Sequence, residues 1–264
     1  MNVRREVKEV QTPDIRFEIC VDSIAGVRAA ERAGAARVEL CAGLIEGGIT
    51  PSLGMIEAAA EGARVGVQVM IRPRGGDFVY SPEELAVMAR DIAAAKRAGA
   101  TGIVLGLLTP DGDVDVAATR RLVGLARPLP VTFHRAIDMS RDATAALDAL
   151  IGLGIERVLT SGQEASAFEG TALIAALNRR AAGRIIVMPG GGITPRTVAR
   201  VLAETGASEV HFAALAELPS PMRHRNPDAF MGGALRPPEF SRLETSEPLL
   251  RATIAAARAT GGGA

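Results

Sequence analysis

The chain has 264 residues, and 30 Lys plus Arg balance 30 Asp plus Glu, so the formal net charge is zero. The charges are mixed in sign along the chain, Trp is absent and Tyr80 is the one tyrosine, which argues against a basic nucleic-acid surface or a base-stacking platform. No run of about 20 apolar residues predicts a membrane span, and two cysteines are too few for a disulfide framework, so reduced thiols in a cytoplasmic protein are expected.

Residues 1–13 are charged, unpatterned and closed by Pro13, as expected of a flexible arm and not of a secretory signal. A repeated grammar follows: a short apolar run, a loop of Gly, Ser, Thr or charged residues, then an Ala-rich helical stretch. Period-two alternation and β-branched content predict strands at 15–20, 37–41, 67–71, 102–107, 130–134, 157–160, 184–188 and 209–212. Helices are predicted at 23–33, 52–62, 82–98, 115–126, 142–152, 170–181 and 195–204. Gly34, Gly99, Gly154, Gly183 and Gly206 follow helix ends, where a left-handed residue closes the last turn. Ser81-Pro82 and Thr194-Pro195 read as N-terminal caps. Residues 213–239 form a long loop, 240–259 a last helix, and 261–264 a frayed tail.

Eight alternating βα units predict one (β/α)8 TIM-barrel domain spanning 14–260. The rival, a doubly wound open sheet, wants a glycine fingerprint after its first strand, and Val21-Asp22-Ser23 has none.

In such a barrel the loops after the strands gather at one end and carry the chemistry. Glu18 and Cys20 close the first predicted strand, and Glu39 and Cys41 the second. Arg72, Arg74 and Asp77 follow the third in RPRGGDF, His134, Arg135 and Asp138 follow the fifth, Ser161-Gly162 the sixth, and Gly190, Gly191 and Gly192 the seventh. Paired arginines suit a carboxylate or phosphate; the plainer alternative is that they brace the barrel mouth against Glu18, Glu39 or Asp77. The glycine loops suit a phosphate, or simply a tight turn. Glu18, Glu39, His134 and Asp138 are candidate proton-transfer or orienting groups. His211 reads as a structural strand residue. Cys20 and Cys41 end neighbouring strands about 4.8 Å apart, so their sulfurs could meet on a soft ion such as Cu(I); the alternative is two small buried hydrophobes.

The stretches EICVDS (18–23), RVELCAGLIEGGITPS (37–52), IRPRGGDFVYS (71–81), VTFHRAID (131–138), RVLTSGQ (157–163), GGGI (190–193), EVHF (209–212) and SPM-x-x-RN (220–226) together resemble the copper homeostasis protein CutC family. The resemblance implies a (β/α)8 barrel, a cytoplasmic location, a homo-oligomer (dimer or tetramer), and Cu(I) binding at Cys20 and Cys41. It assigns no role to Arg72, Arg74, Asp77, His134, Asp138 or the glycine loops. These suit a barrel enzyme acting on a small anionic metabolite, a phosphorylated one included. Arg74→Ala should then abolish ligand binding.

Overall fold

The computed structural model describes residues 15–231 and 238–259; the arm expected at 1–13, the tail expected at 261–264 and part of the expected loop lie outside these. Eight parallel strands, β1 (Arg16–Val21), β2 (Arg37–Leu40), β3 (Gly66–Met70), β4 (Gly102–Leu105), β5 (Val131–Phe133), β6 (Arg157–Thr160), β7 (Ile186–Pro189) and β8 (Glu209–Phe212), alternate with helices. The helices are α1 (Ile24–Ala33), α2 (Leu53–Ala60), α3 (Pro82–Arg97), α4 (Val116–Ala126), α5 (Ala143–Gly152), α6 (Thr171–Ala181), α7 (Val198–Thr205) and α8 (Glu247–Arg258). Consecutive strands are neighbours from β1 to β7, and β8 lies beside β1. A parallel bridge between Gly190 and His211 brings β7 against β8 and nearly closes the ring. This is the predicted (β/α)8 barrel.

Local chemistry fixes the elements. Ser81 accepts from the Glu84 backbone while the Glu84 side chain reaches back to the Ser81 backbone, with Pro82 in the first turn; two N–H donors at the N-terminus of α3 are thereby satisfied. Gly34 ends α1 at φ 82° with its N–H on the carbonyls of Ala30 and Glu31, a conformation that a side chain would strain.

Two expectations are corrected. The helix expected from Pro195 begins at Val198, because Thr194–Thr197 close a turn of their own. Residues 213–239 are not structureless: β9 (Leu215–Pro219) pairs antiparallel with β10 (Ser241–Thr245), a stretch assigned above to the last helix. The alternation in Ser241–Thr245 wins there, and Pro248 sets the start of α8 about two turns later.

Period two divides each barrel strand. Phe17, Ile19, Val21, Val38, Leu40, Val67 and Val69 belong to the main apolar core with the helices. The alternate residues are polar or soft: Cys41, Met70 and Val104, with Cys20 against them, form a separate small cluster. Charge therefore collects on the inner face of the ring.

Candidate functional site

The inner face carries a buried charge network at its base. Arg37 pairs with both Glu18 and Glu209, and Arg157 donates to Glu209 at 2.9 Å. The parallel register sets Glu18 level with both Arg37 on β2 and His211 on β8. The His211 Nδ1 lies 2.8 Å from a Glu18 oxygen. Burial pushes the Glu18 carboxyl up, but the hydrogen bond from His211 and the Arg37 cation more than offset it and hold it at about 2.

Above this lie the two thiols. Cys20 is level with Glu39 in the β1–β2 register, and Cys41 stands one step further toward the loop. Their sulfurs are 4.0 Å apart. Cys41 is buried, and Cys20 is half-buried. The Cys41 thiol donates to Glu39 Oε2 at 3.5 Å, and Gly48 leaves only enough room over the Cys41 sulfur for a residue without a side chain: an added Cβ would sit 3.0 Å from it. The hydrogen bond shared with Cys41 lowers Cys20 to about 5, with further help from His211. The same bond and burial push Cys41 up. Burial raises Glu39 to about 8. His211 is pushed up, because Glu39, Cys20 and Glu18 outweigh its burial. Cys20, Glu39 and His211 each offer a ligand atom within 4.8 Å of the others.

The opposite wall is built from β3 and β5. Arg72 is buried, with Nη1 donating to the carbonyls of Glu46 and Gly48 and Nη2 to that of Gly76. It staples the loop after β2 over the mouth. Arg74 turns the other way, because the segment after Pro73 bends instead of staying extended. It donates to Glu84, Asp77 and the carbonyl of Val79 at the surface. Asp77 also faces outward, with a largely exposed side chain. His134 packs against Phe78 and Phe133. Its Nδ1 accepts from the Ala136 N–H at 3.1 Å, and burial, then the Arg72 cation, lower it to about 3. Gly106, just past β4, leaves room for this ring: a Cβ there would stand 2.4 Å from it.

Asp138 does not orient His134. It accepts from Thr160 Oγ1 at 2.5 Å, from the Ser161 N–H at 2.9 Å and hydroxyl, and from the Gln163 N–H. Arg135 clasps both Asp138 and Ser161. The donors after β6 thus surround a carboxylate of the chain's own, in the place proposed for a phosphate. Gly162 packs on Gly170, where a Cβ would lie 2.4 Å from its carbonyl. The Gly190 N–H goes to Thr160, Gly191 lies under the Arg135 guanidinium, and Gly192 packs on Ser166. The turn of Thr194–Thr197 separates this loop from the first turn of α7.

Cys20, Glu39, Met70, Arg72, His134 and His211 line one cavity of about 120 Å³. A wider cleft of about 630 Å³ shares Gly47, Arg72, Phe78 and Arg135 with it and leads outward past Asp77 and Asp138. The structure brings together Glu18, Glu39, Cys20, Cys41, Arg72 and His134, places Arg135 at the rim, and leaves Arg74 outside. The residue missed is His211. The signal was available: two residues after Glu209 on the strand that closes the ring, it shares the parity of the inward charges.

A model of the CutC family matches residues 15–216. The chain belongs to the CutC family. It is 50% identical over 242 residues to the copper homeostasis protein cutC homolog of Mus musculus, covering 92% of this chain and 89% of that one. It is 52% identical over 243 residues to a family protein CutC of Mesorhizobium japonicum, covering 92% and 94%. A solved CutC structure from Streptococcus agalactiae aligns with a TM-score of 0.72 at 36% identity, over 75% of this chain and 98% of the other. Both cysteines, Glu18, Glu39, Arg72, His134 and His211 fall inside the matched stretch. Among the described residues, no helix is long and apolar enough to cross a membrane.

Proposed function

We propose that the protein acts in copper homeostasis as a cytoplasmic Cu(I)-binding protein, with Cys20 Sγ and Cys41 Sγ as the ligands. The carrying observation is the 4.0 Å between the two sulfurs at the mouth of the barrel. Two sulfurs bind Cu(I) in a linear arrangement; with metal–sulfur bonds of about 2.3 Å, as at zinc, that sets them about 4.6 Å apart, so the pair opens by about 0.6 Å from its present spacing. Two thiolate ligands select a soft monovalent ion over hard cations.

The neighbouring set of Cys20, Glu39 and His211 suits copper less well. Glu39 is held protonated and His211 is held charged near neutral pH, and a protonated group does not ligate. The sulfur pair needs only one further deprotonation, that of Cys41, because Cys20 is already a thiolate near neutral pH. Titration of Cu(I) against a competing chelator under anaerobic conditions tests the reading. One ion per chain is expected, lost in the Cys20→Ser/Cys41→Ser variant; binding of equal strength in that variant refutes it.

A further inference from the structure

Copper binding uses two sulfurs and leaves the facing wall of the same cavity without a task. That wall is built for something. Among the described residues, His134 Nε2, Arg72 Nε and Glu39 Oε1 are buried and lack a hydrogen-bond partner. His134 is 4% exposed, Arg72 6% and Glu39 3%, and all three line the 120 Å³ cavity. Buried polar groups are nearly always paired, so three unpaired atoms around one cavity point to a polar occupant.

We propose that this cavity is a binding site for a short-chain 2-oxo or 2-hydroxy carboxylate. The proton inventory gives the chemistry. Ala136 donates to His134 Nδ1, so the neutral ring carries its proton on Nε2. Arg72 gives three of its five N–H groups to the carbonyls of Glu46, Gly48 and Gly76, and its Nε is without a partner. One wall thus offers two N–H donors, one on a fixed cation, and Arg135 adds a second cation at the rim. A carboxylate matches this pair. Glu39 Oε1, opposite, meets the second polar group, the oxygen on the carbon next to the carboxylate. A cation is repelled by the Arg72 guanidinium, and a hydrocarbon leaves all three atoms unpaired. Size sets the chain length: 120 Å³ equals about four waters at about 30 Å³ each, room for about five or six heavy atoms. A longer substituent would extend into the outer cleft past Phe78.

His134 and Arg72 are not copper ligands, but Cys20 shares the cavity, so the test uses chelator-treated, copper-free protein. Pyruvate and lactate are titrated while the histidine ring N–H signals are followed by NMR, with acetate and methylammonium as comparators. The expected result is a saturable movement of the His134 Nε2–H signal with pyruvate or lactate, at least about tenfold tighter than with acetate. His134→Phe, which keeps a ring between Phe78 and Phe133 and removes the donor, should weaken that binding at least about tenfold. No saturable change with either acid, acetate binding as tightly, or a folded His134→Phe variant binding within about twofold would each overturn the proposal. The wild-type titration decides the matter even where the variant fails to fold.

Discussion

Removing the charge of Glu18 tests the network that orders the barrel interior. Glu18 is fully buried between the Arg37 guanidinium and His211, and its carboxyl is held at about 2 against an ordinary 4.5. A difference of that size, at about 1.36 kcal/mol per pH unit, corresponds to roughly 3 kcal/mol of stability. This agrees with the ~3–5 kcal/mol usual for stripping one partner from a buried ion pair. The sign follows from the depressed value: the contribution is complete above the unfolded value of about 4.5 and drains away as the pH falls toward about 2. At pH 3 less than half of it remains. Glu18→Gln keeps the shape and loses the charge. Urea unfolding of wild type and variant at pH 7 and pH 3 reads the difference directly, and groups that do not interact with Glu18 cancel. The expected gap is about 3 kcal/mol at neutral pH, narrowing by more than half at pH 3. A gap under about 0.5 kcal/mol at pH 7, or one just as wide at pH 3, refutes the reasoning.

Gly106→Ala places a methyl 2.4 Å from the His134 ring; thermal unfolding should show a loss of about 1–3 kcal/mol, and an unchanged midpoint would mean the ring moves freely. Cys20 should react with iodoacetamide at pH 7 well before Cys41, since it is half-buried with a pKa near 5 while Cys41 is buried and raised; peptide mass spectrometry with equal labelling would contradict this. Arg74→Ala breaks surface pairs with Glu84 and Asp77 and should change stability by less than about 1 kcal/mol. Arg72→Ala should instead expose the loop from Gly43 to Gly48 to proteolysis, because it removes the donor to the Glu46 and Gly48 carbonyls; equal cleavage rates in the two variants would sink the contrast.

The barrel was legible because each strand is short, apolar and followed by a turn and an amphipathic helix. The β6 and β8 boundaries match the expected ones, and most others shift by a residue or two. The β9–β10 pair was not, because it joins residues on either side of a long connection and no local pattern links Leu215–Pro219 to Ser241–Thr245. Strand-end position found Glu18, Cys20, Glu39, Cys41, Arg72 and His134. It could not separate Arg72 from Arg74: two arginines two residues apart share a face only on an extended chain, and here the backbone bends between them. It also could not foresee that Asp138 takes the Ser161 donors, since that depends on the loop after β5 crossing to the end of β6. His211 was hidden for a different reason. Its partners, Glu18 and Glu39, are more than 170 residues away in the chain, and only closure of the ring brings β8 beside β1.

X-ray absorption at the copper edge, on protein loaded anaerobically with one equivalent of Cu(I), addresses the central claim. Two sulfur neighbours at about 2.3 Å, and none in the Cys20→Ser/Cys41→Ser variant, are the predicted result. A first shell of nitrogen and oxygen alone, or one sulfur that survives in the double variant, would contradict the assignment of Cys20 and Cys41 as the copper ligands.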